Sequence, residues 1–163
     1  MWKGKSKKAK ILVERSIWID AVVEEVWLAV TDPDRLGEWY APGSPWKIPE
    51  LKIGRIIEFH HSPNAHHSGS EVTVLKATIE AVDPHKMFSL RWEPDSSHPT
   101  VVLVTSFELL EENGGTRVTI SESGYENVPA NDRQSWREST STGYAMSMEN
   151  LKALLEGSEI PHR

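Results

Sequence analysis

The sequence predicts an α+β fold: a curved antiparallel β-sheet wrapped around a long C-terminal α-helix, with two short helices after the first strand. Three observations carry this. The last long stretch, Asn131–Gly157, contains no proline and has helical periodicity. Five strand-like runs joined by short turns precede it, and such runs pair as an antiparallel meander. Between the first strand and that meander the apolar spacing switches briefly to a helical one.

Residues 10–19, KILVERSIWI, alternate. Ile11, Val13, Arg15, Ile17 and Ile19 share the face expected to meet the core, leaving Trp18 on the other side or at an edge. Val22, Val23, Val26, Trp27 and Val30 then follow helical spacing. Asp32-Pro33 ends that helix and opens a shorter one to about Trp39, with Asp32 as N-cap and Pro33 at the first helical position. Residues 40–54 hold Pro42, Gly43, Pro45 and Pro49 and are expected to form a loop. Trp39, Tyr40 and Trp46 on or beside it either cap the edge of the core or form a lid over a pocket.

Strands are expected at 55–61, 71–82, 87–92, 100–110 and 115–122, the last two joined by EENGG, a strong hairpin signal. In the last strand Thr116, Val118, Ile120 and Glu122 share a face directed at the long helix. Glu122 then stands near the end of any cavity, where a carboxylate holds or deprotonates a ligand, unless it simply reaches water from the strand end. Phe88, Leu90 and Trp92 form one core face, and Val101, Leu103, Thr105, Phe107 and Leu109 another.

The long helix is expected to start with Asn131 as N-cap and to stop at Gly157 in the left-handed conformation. Its stripe of Trp136, Thr140, Gly143, Tyr144, Ser147, Leu151, Leu154 and Leu155 is mixed. The C-terminal half is ordinary core leucine, but the other half sets aromatics among Thr, Gly and Ser and resembles a cavity wall. Glycine inside a helix costs about 1 kcal/mol relative to alanine. Gly143 therefore marks either close helix-on-sheet packing or space kept for a ligand.

Composition removes several classes. With no cysteine among 163 residues, disulfides, thiolate metal sites and cysteine nucleophiles are excluded. The net charge is −6, yet the first ten residues hold five lysines and no acid. The rest carries 13 basic against 24 acidic residues, a poor surface for nucleic acid. Residues 1–9 are read as a disordered basic tail and 10–158 as one domain. The opening MWKGKSKKAK lacks the apolar run of a secretory signal, and no stretch approaches the ~18 apolar residues of a spanning helix, so a cytoplasmic protein is expected.

His60, His61, His66 and His67 form an HH-x4-HH pattern. Adjacent histidines on a strand point to opposite faces and no carboxylate completes a known spacing, so no metal is expected. No phosphate loop, nucleophile elbow or zinc-protease helix is present, and no cofactor is expected.

The segment Ser16–Gly43, SIWIDAVVEEVWLAVTDPDRLGEWYAPG, resembles the opening of the START-like ligand-binding superfamily, in the branch similar to the C-terminal domain of the activator of Hsp90 ATPase. Ala81-Val82-Asp83-Pro84, Leu90-Arg91-Trp92, the run GGTRVTI from Gly114 to Ile120, and Leu151 and Leu154 before Glu156-Gly157 follow in the order of that branch. Together they cover residues 11–157. Gly143-Tyr144 stands where a Gly-Trp is usual, and the His-rich turn has no counterpart. The resemblance implies the helix-grip fold, with a cavity between sheet and helix. Members bind lipids, hormones or polyketides, act as cyclases or hydroxylases, or serve as co-chaperones.

The expected function is accordingly the binding of an apolar or amphipathic small molecule by a monomer or homodimer. Trp39, Tyr40 and Trp46 stand near the entrance, with His60, Trp92, Glu122, Trp136, Gly143, Tyr144 and Met148 around the ligand. The alternatives are a cyclase-like or hydrolase-like enzyme using His60 or Glu122 as acid–base, or a protein interacting with Hsp90.

Overall fold

A computed structural model describes residues 12–62 and 72–163. The basic tail, His66 and His67 lie outside the described residues. The elements are β1 (Leu12–Ile19), α1 (Val23–Thr31), α2 (Pro33–Trp39), β2 (Trp46–Lys47), β3 (Ile56–His61), β4 (Thr73–Asp83), β5 (Met87–Trp92), β6 (Val104–Glu112), β7 (Gly115–Ser123), a 3-10 turn (Tyr125–Asn127) and α3 (Ala130–Glu156). The strands form one antiparallel sheet in the order β1-β7-β6-β5-β4-β3-β2. The curved sheet grips α3, and the two short helices follow the first strand as expected.

Alternation explains the sheet's two faces. Val13 and Ile19 of β1 are buried, as are Thr116, Val118, Ile120 and Glu122 of β7. The β6–β7 hairpin turns at Asn113 and Gly114, whose φ angles of 51° and 80° fit a type I′ turn. The core gathers Trp39, Phe88, Phe107, Ile120, Tyr125 and Leu151, all essentially inaccessible to water. Fully burying an aliphatic or aromatic side chain of this kind contributes about 1.5–3 kcal/mol.

Three local expectations are corrected. The segment 40–54 is not wholly loop: Trp46 pairs with Phe59 and Lys47 with Glu58, giving a short edge strand, where flanking prolines are tolerated. The sixth strand begins at Val104 rather than Thr100. The long helix begins at Ala130 after Pro129, so Asn131 lies within its first turn and no side chain caps it. Gln134 Nε2 donates to Glu138 Oε2 at 3.0 Å. The other end is as expected, with Gly157 left-handed at φ 79° and the Ser158 N–H reaching back to the Ala153 carbonyl.

Towards its C-terminal end α3 is tied to β1. Lys152 Nζ donates to the Trp18 carbonyl at 2.9 Å and to Glu156 Oε2 at 2.7 Å, and Glu156 accepts the Asp20 N–H at 2.8 Å. The other half also meets the sheet, through Arg137 on the Leu12 carbonyl at 2.9 Å and Arg15 Nε on Ser141 Oγ at 3.0 Å, and it borders the candidate site.

Candidate functional site

Two half-open cavities of about 340 and 690 Å³ lie beside the inner face of the sheet, the first along α3 and the second reaching it at Trp136. Both are lined by Tyr40, Phe59 and Glu122, so they meet at those side chains. The first extends along α3 past Thr140, Gly143, Tyr144 and Ser147 to Asn150 and His162. The second runs beside β4 and the 93–103 segment, past Trp92, His98 and Leu103 to Trp136.

At the junction Glu122 is buried, with three hydroxyls converging on its carboxylate. Tyr125 Oη donates to Oε1 at 2.6 Å. Thr105 Oγ1 and Tyr144 Oη donate to Oε2 at 2.7 and 3.0 Å. Thr105 in turn accepts the Trp92 indole N–H at 2.9 Å, and Tyr125 Oη lies 2.8 Å from the Thr140 hydroxyl. Backbone geometry makes this possible. Gly124 at φ 110° turns the chain directly after β7, and a Cβ there would stand 2.1 Å from the Val102 carbonyl oxygen. That turn brings Tyr125 back under Glu122.

Burial, reinforced by the Glu122 charge, pushes the Tyr40 hydroxyl far above the ordinary tyrosine value of 10.0. Burial first and Glu122 second do the same to Tyr125. Tyr144 is raised by burial, then by Tyr40 and Glu122. All three remain protonated donors at neutral pH. The arrangement can hold a polar group beside Glu122 while aromatic walls cover an apolar body.

The ten residues expected at the site divide on inspection. Tyr40, Trp92, Glu122, Trp136, Gly143 and Tyr144 line the cavities. Gly143 is exposed at the rim of the first cavity and a Cβ there would meet nothing within 4 Å, so close packing does not explain it. Trp39 is a correction: it is fully buried with its indole N–H on the Ala29 carbonyl at 2.8 Å, a core residue rather than an entrance. Trp46 packs 4.6 Å from Phe59, centroid to centroid, behind the wall, and its buried indole N–H meets no acceptor among the described residues. Met148 is likewise core.

His60 is also corrected. It follows inward-facing Phe59, so its ring lies on the opposite face of β3, where Nε2 is 2.8 Å from Glu58 Oε1. That contact holds the Glu58 carboxyl below its usual range. The β3 histidine at the first cavity is His61, stacked 5.2 Å from Phe59. Strand parity carried the signal, since Ile57, Phe59 and His61 share one face. Tyr125, His98 and His162 also went unforeseen. His98 packs edge-on against Trp136 at 5.0 Å, and His162 is brought to the wall by Asn150, which bonds both its backbone N–H and its carbonyl.

Among the described residues no cluster of three or more His, Asp or Glu is placed to hold a metal ion, and no helix is long and apolar enough to cross a membrane.

An antiparallel sheet closed on a long C-terminal helix, with internal space beside that helix, defines the START-like helix-grip class. Residues 20–156 match the model of the family described as activator of Hsp90 ATPase homolog 1-like protein, and the chain belongs to that family. No protein of curated function matches significantly. Among solved structures, protein MLL2253 from Mesorhizobium loti is similar with a TM-score of 0.72 and 22% identity, over 91% of this chain and 98% of that one. Protein Ms6760 from Mycobacterium smegmatis has a TM-score of 0.69 and 21% identity, over 91% and 92%. The Aha1 dimer from Colwellia psychrerythraea has a TM-score of 0.63 and 17% identity, over 89% and 96%.

Proposed function

We propose that this protein binds an amphipathic small molecule between the sheet and the N-terminal half of α3. The observation that supports this most is the buried Glu122 with its three hydroxyl donors, standing where two aromatic-walled cavities meet. A chain selected only for stability gains nothing by enclosing a carboxylate. The binding role is favoured over acid–base catalysis because the Glu122 oxygens are already occupied by Thr105, Tyr125 and Tyr144, and His60 faces away.

Native mass spectrometry of the purified protein beside its denatured mass tests the proposal. The expected result is an additional non-covalent mass. If the protein is purified empty, a ligand from an amphiphile library is expected to raise the melting temperature, since a ligand at about 100 times its Kd stabilises by about 2.7 kcal/mol. A bare mass together with no shift across the library would sink it.

A second reading, association with a chaperone, is supported by the family match. Recovery of purified Hsp90 middle domain on the immobilised protein supports it, and no recovery removes it.

A further inference from the structure

Among the described residues, the groups bonded to the Glu122 carboxylate are hydroxyls and none is a cationic side chain. Three donors on two oxygens make an arrangement that suits an ionised carboxylate. None of the ion pairs among the described residues includes it. A carboxylate in a low-dielectric space without a counter-charge is costly. Around it, aromatic rings line both cavities, Tyr40, Phe59 and Tyr144 on one side and Trp92 and Trp136 on the other, with His61, His98 and Lys76 further along the walls. Ring faces attract cations and do not attract anions.

We propose that the ligand carries an organic cation, a protonated amine or quaternary ammonium, which sits against these rings and balances Glu122 while its apolar body follows the cavities. This rests on the small-molecule reading above and names the ligand's head group. An anionic head would meet Glu122 at close range, and a neutral one would leave its charge uncompensated.

Decyltrimethylammonium, decanol and decanoate share one alkyl chain and differ in head-group charge. Each is titrated below its micelle concentration into the intact protein, with tryptophan fluorescence and calorimetry as readouts. The cation is expected to bind about tenfold or more tighter than decanol, and decanoate more weakly than either. Glu122→Gln is expected to abolish the preference. Should that variant fold poorly, Trp136→Leu at the half-exposed wall is expected to weaken the cation about threefold or more and decanol by a smaller factor, and equal weakening of both overturns the charge assignment.

Decylphosphocholine, with the same cation beside a phosphate, separates two sources. Binding as tight as decyltrimethylammonium points to a lipid headgroup and much weaker binding to a free amine or ammonium; both retain the cation. Decanol or decanoate binding as tightly as the cation overturns the charge assignment and leaves the cavity reading standing. Failure of all the probes to bind overturns both.

Discussion

Glu122 concentrates the interactions of the site into one side chain. Removing it by Glu122→Ala leaves three buried hydroxyls without their acceptor, and a buried polar group left unpaired costs about 1–3 kcal/mol. Because the hydroxyls can partly re-pair with one another, a loss of about 2–4 kcal/mol is expected, measured as a lower urea midpoint at unchanged slope. A loss below about 0.5 kcal/mol would mean that water already satisfies the cluster. The residue was legible because Thr116, Val118 and Ile120 fix the phase of β7 and carry Glu122 inward with them. Tyr125 was not, since no periodicity runs through the Gly124 turn that brings it back. His60 and His61 show how narrow the margin is in a strand, where one position exchanges the wall of a cavity for the outer face.

Helix α3 carries two different halves. Its C-terminal turns are fastened to β1 through Lys152 and Glu156, while Gly143 is exposed at the rim of the first cavity. Gly143→Ala is therefore expected to stabilise the protein by about 0.5–1 kcal/mol, from helix propensity alone, read as a higher denaturant midpoint. Destabilisation of that size would show that the position is closed. The mixed stripe of aromatics and small residues made this division visible in the sequence. The start of α3 was less visible, because the Pro129 turn replaces side-chain capping. Strand β2 was hidden for another reason: two residues are too few to show alternation, and prolines at 45 and 49 suggest a loop when the strand lies at an edge.

At the scale of the whole molecule, the buried tyrosines set the response to alkali. Tyr40, Tyr125 and Tyr144 have hydroxyls raised well above 10.0 in the folded state, so the unfolded chain releases those protons first. Their contribution is complete below pH 10 and is lost as the pH climbs through the folded values, and stability is expected to fall steadily above about pH 10. Thermal midpoints between pH 8 and about 11.5 check this, and Tyr144→Phe should make the decline shallower. On the acid side Glu156, held low by the Asp20 N–H and then by Lys152, contributes above the usual 4.5 and loses that contribution as pH falls through its folded value. The architecture was legible as a whole because strands, turns and the final helix each follow their own period. The size of the internal space was not, since it depends on how far α3 stands from the sheet. The pairing of β1 with β7 has a temporal consequence. Leu12 faces Ser123 and Ile19 faces Thr116, so the first strand made is hydrogen-bonded to the last. During synthesis β1 leaves the ribosome roughly a hundred residues ahead of its neighbour β7, at about 5–20 residues per second. For those seconds its apolar side has no native sheet partner, and cooperative closure waits on β7.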